Sequence, residues 1–440
     1  MPIEALPLPP SAAIKKHMRA ALSRYWPDSL FDFGVVPVVT AQVSAICGPL
    51  RLQIIRLPDW AAHLGVEGSI LVPVEACVQG DDWRQIDWWL AAFLLLECWH
   101  ERAWELQYGP IHSYSYRLQD WDTRAWDYAW VNRIGLFLRA WAAHVTGGSG
   151  LDLFGPLLKY QVVMTHDVDA VAKTLPIRLK QGAFNFFNAS RHLLRGKVGE
   201  AATAIGKAVC FLFGREDWWT FETLLEQEEG LGLCTHFYFY ADPRKKNLRR
   251  WLFDPAYDIR KARIKQLMQR LHERGVIIGL HATFDAWNSA EIIGRQRRLL
   301  SAIAHEQITS CRQHWLRFSW QDTWLAQEAA GIEHDTTLMF NDRPGFRASA
   351  VVSWHPWDQA RKEPYGKLRV LPTAMMDSHF YDYQLMDACQ RNIAMRRWLE
   401  EIRAVHGEAA ILWHPHSLTR DYGWADGFHE LVAIIGETAQ

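Results

Sequence analysis

The stretch QVVMTHDVD, residues 161–169, opens as an apolar run and closes on two carboxylates. A short apolar run of this length reads as a buried strand, and downstream of it the same kind of run keeps returning between amphipathic helical segments. LGLCTHFYFY (231–240) is followed by a helical stretch in which Ile264, Leu267, Met268 and Leu271 fall at i, i+3, i+4 and i+7, expected to be capped by Asp258 and stopped by Gly275. VIIGLH (276–281) begins next, then a helix carrying Ile292, Ile293, Leu299, Leu300 and Ile303. After it come strand SCRQHWLRFS (310–319), helix DTWLAQEAAG (322–331), and strands IEHDTTLMF (332–340) and LRVLPTAMMD (368–377). A helix through Met395 to Val405 and strand AAILWHPHS (409–417) close the series. Alternation of this kind, about seven strand-to-helix units, predicts an α/β fold with a parallel sheet or barrel.

Upstream the style differs. VVPVVTAQVSAI (35–46) and GSILVPVEACV (68–78) read as strands, with a Trp-rich helix from Asp87 to Leu106 and another from Trp126 to His144. The run Thr146-Gly-Gly-Ser-Gly150 has linker composition, which places a boundary near residue 155. The expected organisation is a smaller α+β domain over 1–155 and a barrel over 156–440. The helical spacing of the upstream tryptophans assigns them to core packing rather than to sugar stacking.

Composition narrows the function classes. The 440 residues carry 48 Lys+Arg against 49 Asp+Glu, a net charge of −1, so no global field favours nucleic acid and none is expected as a partner. Seven scattered cysteines without C-x-x-C spacing speak against a disulfide framework and a thiolate zinc site. The N-terminal stretch has prolines and charges where a signal peptide needs an apolar core, and the longest apolar run, Trp88 to Leu96, is too short to span a bilayer. These features predict a cytoplasmic protein.

In α/β barrels the chemistry gathers at the C-terminal ends of strands. Here those ends read His166-Asp167-Val168-Asp169, Gly279-Leu280-His281, Arg312-Gln313-His314, Asp377 and Leu412-Trp413-His414. Buried ionisable groups are costly unless paired or metal-bound, so their concentration at five strand ends points to a metal-dependent hydrolytic site. Asp167 and Asp169, two residues apart on a strand, share a face; an isolated D-x-D could equally be a helix cap or a solvated loop. His281, on a separate strand end, shifts the weight, because imidazole plus carboxylate suits a catalytic divalent ion, zinc above all.

Over residues 156–440 these strand ends resemble, in order, the motifs of the NodB-type polysaccharide deacetylases, carbohydrate esterase family 4. The resemblance implies a distorted (β/α)7 barrel that removes N-acetyl or O-acetyl groups from a bacterial surface glycan or its lipid-linked precursor. The first motif, matched by Thr165-His-Asp-Val-Asp169, implies Asp167 as general base and Asp169 as metal ligand. The second, H-x-x-x-H, reads His281-Ala-Thr-Phe-Asp285, so the third ligand lies between Asp285 and His314, with His314 preferred. The third, matched by Arg312-Gln-His-Trp315 without its proline, implies Arg312 pairing with the base and the Trp315 backbone N–H facing the oxyanion. The fifth, Leu412-Trp-His414, implies His414 as general acid oriented by Asp377. Arg347, in Pro344-Gly-Phe-Arg347, and His355 are expected to line the substrate groove. Two other readings remain at this stage: a barrel without turnover that binds glycan or scaffolds its assembly, and a metal hydrolase of a non-sugar amide.

One segment stands apart. Between Ala170 and Arg215 eight basic residues face a single acid, Glu200, a net of +7, and Phe184, Phe186, Phe187, Leu193 and Leu194 interleave with them. This composition predicts peripheral contact with an anionic membrane, at the inner face of the membrane, or with an acidic glycan.

Overall fold

The computed structural model describes residues 5–27, 31–242, 244 and 247–439. The upstream third is mostly helical. Two small antiparallel pairings, β1 (Leu6–Pro7) with β2 (Ala45–Ile46) and β3 (Leu52–Arg56) with β4 (Ser69–Pro73), flank helices α1 (Ser11–Ala21), α2 (Trp88–Leu96), α3 (Trp99–Tyr108), α4 (Trp130–Thr146) and α5 (Gly150–Phe154). The long strand expected over 35–46 reduces to β2. Pro37 has no N–H to give a ladder, and much of the segment is exposed.

Helix α2 is apolar all round and buried along its whole length, as a central helix must be, and the Asp87 carboxylate caps it by accepting from Leu90 N at 3.0 Å. The single Trp-rich helix expected over 87–106 is broken, because Cys98 sits in the left-handed region at φ 44° and redirects the chain into α3. The tryptophans do pack inside: Trp88, Trp99, Trp126, Trp130 and Trp141 are all buried.

Downstream, eight strands form one parallel sheet: β5 (Gln161–Val168), β6 (Cys234–Tyr240), β7 (Ile277–Ala282), β8 (Ser310–Gln313), β9 (His334–Asp335), β12 (Arg369–Val370), β13 (Thr373–Met376) and β14 (Glu408–Leu412). A hairpin of two-residue strands, β10 (Trp357–Asp358) and β11 (Glu363–Pro364), lies outside it. The intervening helices are α6 (Leu175–Leu194), α7 (Val198–Phe213), α8 (Phe221–Glu229), α9 (Leu248–Phe253), α10 (Ala262–Glu273), α11 (Ala290–Ala304), α12 (Thr323–Ala329), α13 (Ala388–Ala404) and α14 (Ala425–Ala439). Helix α10 begins one turn later than expected, with Lys261 rather than Asp258 at its N-cap; Asp258 instead accepts from Arg260 N, and Gly275 closes the far end at φ 71°.

The sheet order is β12-β9-β8-β7-β6-β5-β14-β13. Its two edge strands, β12 and β13, are separated in sequence only by Leu371 and Pro372, a span of about 11 Å at most. The edges therefore meet, and the sheet curls into a barrel. That dipeptide touches both sides: Leu371 N donates to Asp335 O of β9, while Ala410 N of β14 donates to Pro372 O.

The two sides of residue 155 share one buried apolar cluster. Their seam is also polar. Glu97, just before the break at Cys98, and Glu101 and Glu105, one turn apart on α3, all turn to the barrel. Glu97 accepts from His17, Arg102, the Trp354 indole and Trp357 N at 2.6–3.0 Å. Glu101 accepts from the Trp320 indole at 2.8 Å and pairs with Arg347; Glu105 accepts from Trp320 N and Gln321 N.

Candidate active site at the strand ends

Strand alternation sorts the first motif. His166 faces outward, where Glu228 and Trp413 O hold its ring nitrogens at 2.8 and 2.7 Å. Asp167 faces the barrel interior, and Asp169, one residue past β5, shares that side.

Asp167 is buried and meets Arg312 at 3.3 Å. Arg312 has no exposed surface; it also donates to Thr336 and to Thr373 Oγ1, and lies over the Tyr238 ring. On the other side of Asp167, His281 Nδ1 is 3.8 Å from Oδ2.

Asp169, His281 and His314 form a group in which one ligand atom from each lies within 4.8 Å of the others. Asp169 Oδ1 is 3.3 Å from His281 Nε2 and 3.8 Å from His314 Nε2. The far nitrogen of each ring faces another carboxylate: His281 Nδ1 faces Asp167, and His314 Nδ1 stands 3.8 Å from Asp254. Asp169 Oδ1, His281 Nδ1 and His314 Nδ1 are buried and have no hydrogen-bond partner among the described residues. A donor set of two imidazoles and a carboxylate, each ring backed by an outer carboxylate, fits a divalent cation. Burial would raise the Asp169 pKa, but the neighbouring His314, His281 and His414 hold it far below the usual carboxylate range.

Opposite, His414 Nε2 is 3.6 Å from Asp169 Oδ2, and its Nδ1 pairs with Asp377 at 2.8 Å. Asp377 is fully buried and also accepts from His414 N, Ser378 N and Ser417 Oγ, so its orientation is fixed. Burial alone would lower the His414 pKa; the Asp377 carboxylate outweighs it, and the imidazole is pushed up to about 10.

After β8 the chain turns sharply, with Trp315 and Leu316 both left-handed at φ 57° and 47°. Such outliers persist only when the surroundings hold them, and here Asn341 donates to Trp315 O at 2.8 Å while Ser113 Oγ, from the upstream region, donates to Leu316 O at 2.6 Å. The Trp315 side chain is half exposed at the site's rim.

Three expected site residues lie elsewhere. Asp285 turns away from the Asp169 group into a forked pair with Arg249, both bonds 2.9 Å, with Arg317 nearby. Arg347 does not line a groove: it is buried in the seam, held by Glu101, Ser113 Oγ and Met339 O. His355 is exposed and bonds Leu368 O just before β12, at the opposite end of the barrel from the strand ends that carry the site. Conversely, the strand-end search missed Asp254, which lies in a loop after α9, and Ser417, which is three residues past His414. Asp254 bore no strand-end signal; Ser417 could have been found as the hydroxyl nearest the fifth motif.

No family model matches the chain, and no curated protein matches it. Solved structures do resemble it. One described as a "putative polysaccharide deacetylase" from Mycobacterium smegmatis has 16% identity and a TM-score of 0.36, covering 63% of this chain and 85% of that one. A CE4 family pseudoenzyme from Bacillus anthracis has 11% identity and a TM-score of 0.27, covering 64% of this chain and 61% of that one. Puue allantoinase has 10% identity and a TM-score of 0.34, covering 63% and 82%. Likenesses this distant leave the chemistry to be argued from the site itself.

Proposed function

We propose that this chain is a metal-dependent deacetylase that hydrolyses an N-acetyl or O-acetyl group on a surface glycan or its precursor. The observation that carries the reading is the convergence, on one end of the barrel, of an Asp-His-His donor set between a carboxylate paired to arginine and a raised-pKa histidine. Asp169, His281 and His314 would hold a divalent ion, which supplies Lewis acidity toward water and an acyl carbonyl. Asp167 accepts the proton of the attacking water, with Arg312 holding it in place at 3.3 Å. The Trp315 N–H, in the sharp turn after His314, donates to the developing oxyanion. His414, cationic at neutral pH, delivers its proton to the departing sugar nitrogen or oxygen, with Asp377 holding the ring. The test is acetate release from a panel of N- and O-acetylated oligosaccharides by the zinc-loaded protein, with Asp169→Ala as control. Release by the parent and not by the variant supports the reading. A protein that binds zinc stoichiometrically yet frees no acetate from any of them overturns it in favour of a glycan-binding barrel.

A further inference from the structure

The basic segment after Asp169 folds as an antiparallel-looking pair of helices, α6 and α7, joined by a tip of Arg195, Gly196 and Lys197. Its packing is inverted relative to a water-soluble hairpin. Most buried positions are small: Gly182 and Ala189 on α6, beside Asn185, and Ala201, Ala204 and Ala208 on α7, each set of small residues spaced by three, four or seven; the large exception, Phe211, packs on Trp218 at the hairpin's base. A Cβ added at Gly182 would stand 2.9 Å from the Leu212 side chain, so the helices approach closely there. Most of the large apolar side chains point the other way. Phe184, Phe187, Leu194, Val198 and Phe213 are each more than half exposed, Leu194 at 89%. Small residues between helices and large ones outside is the arrangement of helices packed in lipid.

The charges complete the pattern. Lys173 is buried against Asp421 and Arg178 is tied to Leu212 O and Gly214 O, so both anchor the hairpin's base. Arg191, Arg195, Lys197 and Lys207 are exposed along its outer part, against the one acid Glu200. No helix among the described residues is long and apolar enough to cross a membrane. We infer that the α6–α7 hairpin docks on the surface of an anionic lipid bilayer, its phenylalanines and leucines entering the acyl boundary and its lysines and arginines meeting the headgroups. The hairpin rises from the strand end that carries Asp169, and its base rests on the loop after His414 through Lys173–Asp421 and Gln181–Tyr422. Docking therefore brings the open end of the barrel toward the bilayer, which suits an acylated glycan on a lipid carrier. That substrate consequence rests on the deacetylase reading; the docking does not.

The experiment is co-sedimentation of the full chain with phosphatidylglycerol and with phosphatidylcholine vesicles, alongside its oligomeric state in solution. Expected are binding to phosphatidylglycerol that weakens with added salt, and a loss of at least about tenfold both in Phe184→Ser/Phe187→Ser/Leu194→Ser and in Arg191→Glu/Arg195→Glu/Lys197→Glu, with circular dichroism unchanged. Either no binding to phosphatidylglycerol at low salt or equal binding to both lipids overturns the inference. Binding that survives both variants does so too, as does a dimer that the serine variant dissociates, which would make the face a self-interface.

Discussion

The glutamates of the seam and Asp167 at the strand ends are alike nearly out of reach of water, with Asp169 beside it partly open, yet the two groups are held by opposite rules. Every seam partner of Glu97 lies at 2.6–3.0 Å, from four donors. Among Asp167, Asp169, His281, His314 and Arg312 the charged atoms stand 3.3–3.8 Å apart, and Asp169 Oδ1, His281 Nδ1 and His314 Nδ1 lack any hydrogen bond among the described residues. A closed cluster spends its charges on holding two parts of the chain together. An open one leaves room for another atom at its centre, and that difference separates structural from chemical burial of charge more surely than residue type does.

The comparison can be broken at its strongest point first. Glu97→Ala strands Arg102 and two tryptophan groups in the core, and should lower stability by about 3–5 kcal/mol in urea titration. A loss under about 1 kcal/mol would mean the seam is not closed in solution. Asp167→Asn, by contrast, should leave the urea midpoint near the parent's while reducing acetate release by at least about a hundredfold. A midpoint that falls as far as that of Glu97→Ala would place Asp167 with the structural group. Sharper still is the contrast between the two candidates for the third ligand: His314→Ala should weaken zinc binding more than about tenfold, and Asp285→Ala, which loses its pairs with Arg249 and Arg317, should leave it unchanged. The reverse order would return the third ligand to Asp285.

The smallest expected effect concerns the pH profile. His414 is raised in the fold, so it stays protonated through neutral pH, and its contribution to stability is complete below the ordinary histidine pKa and lost as pH climbs towards 10. Asp377→Asn removes the carboxylate that outweighs burial, so the alkaline limb of the rate profile should move down by about one pH unit or more. An unmoved limb would assign it to another group.

Much of this was legible in the chain. The apolar runs before Asp169, His281, Arg312 and His414 set the strands, and strand parity put Asp167 and Asp169 on one side with His166 on the other. Periodicity could not show that β12 and β13 are two pieces of one run, 368–377, split at Pro372 so that the halves join opposite edges of the sheet. Nor could it show that Arg347 belongs to the seam, because its partner Glu101 lies 246 residues away. The acidic pair Glu101 and Glu105 was there to be read, one helical turn apart in a stretch otherwise rich in tryptophan. Asp254 carried no such mark, since a loop carboxylate becomes a partner of His314 only when the barrel brings β8 beside it.

The Ser113 bond to Leu316 O has one more implication. The turn that carries His314 and Trp315 is braced by a residue from upstream of position 155, and Arg347, which shares that same hydroxyl, is neutralised by Glu101 from upstream as well. The barrel of this chain is thus not a portable cassette. A fragment starting at residue 156 would inherit an uncompensated guanidinium in its core and an unsupported turn beside its donor set, whereas shuffling that preserves function has to move both parts together.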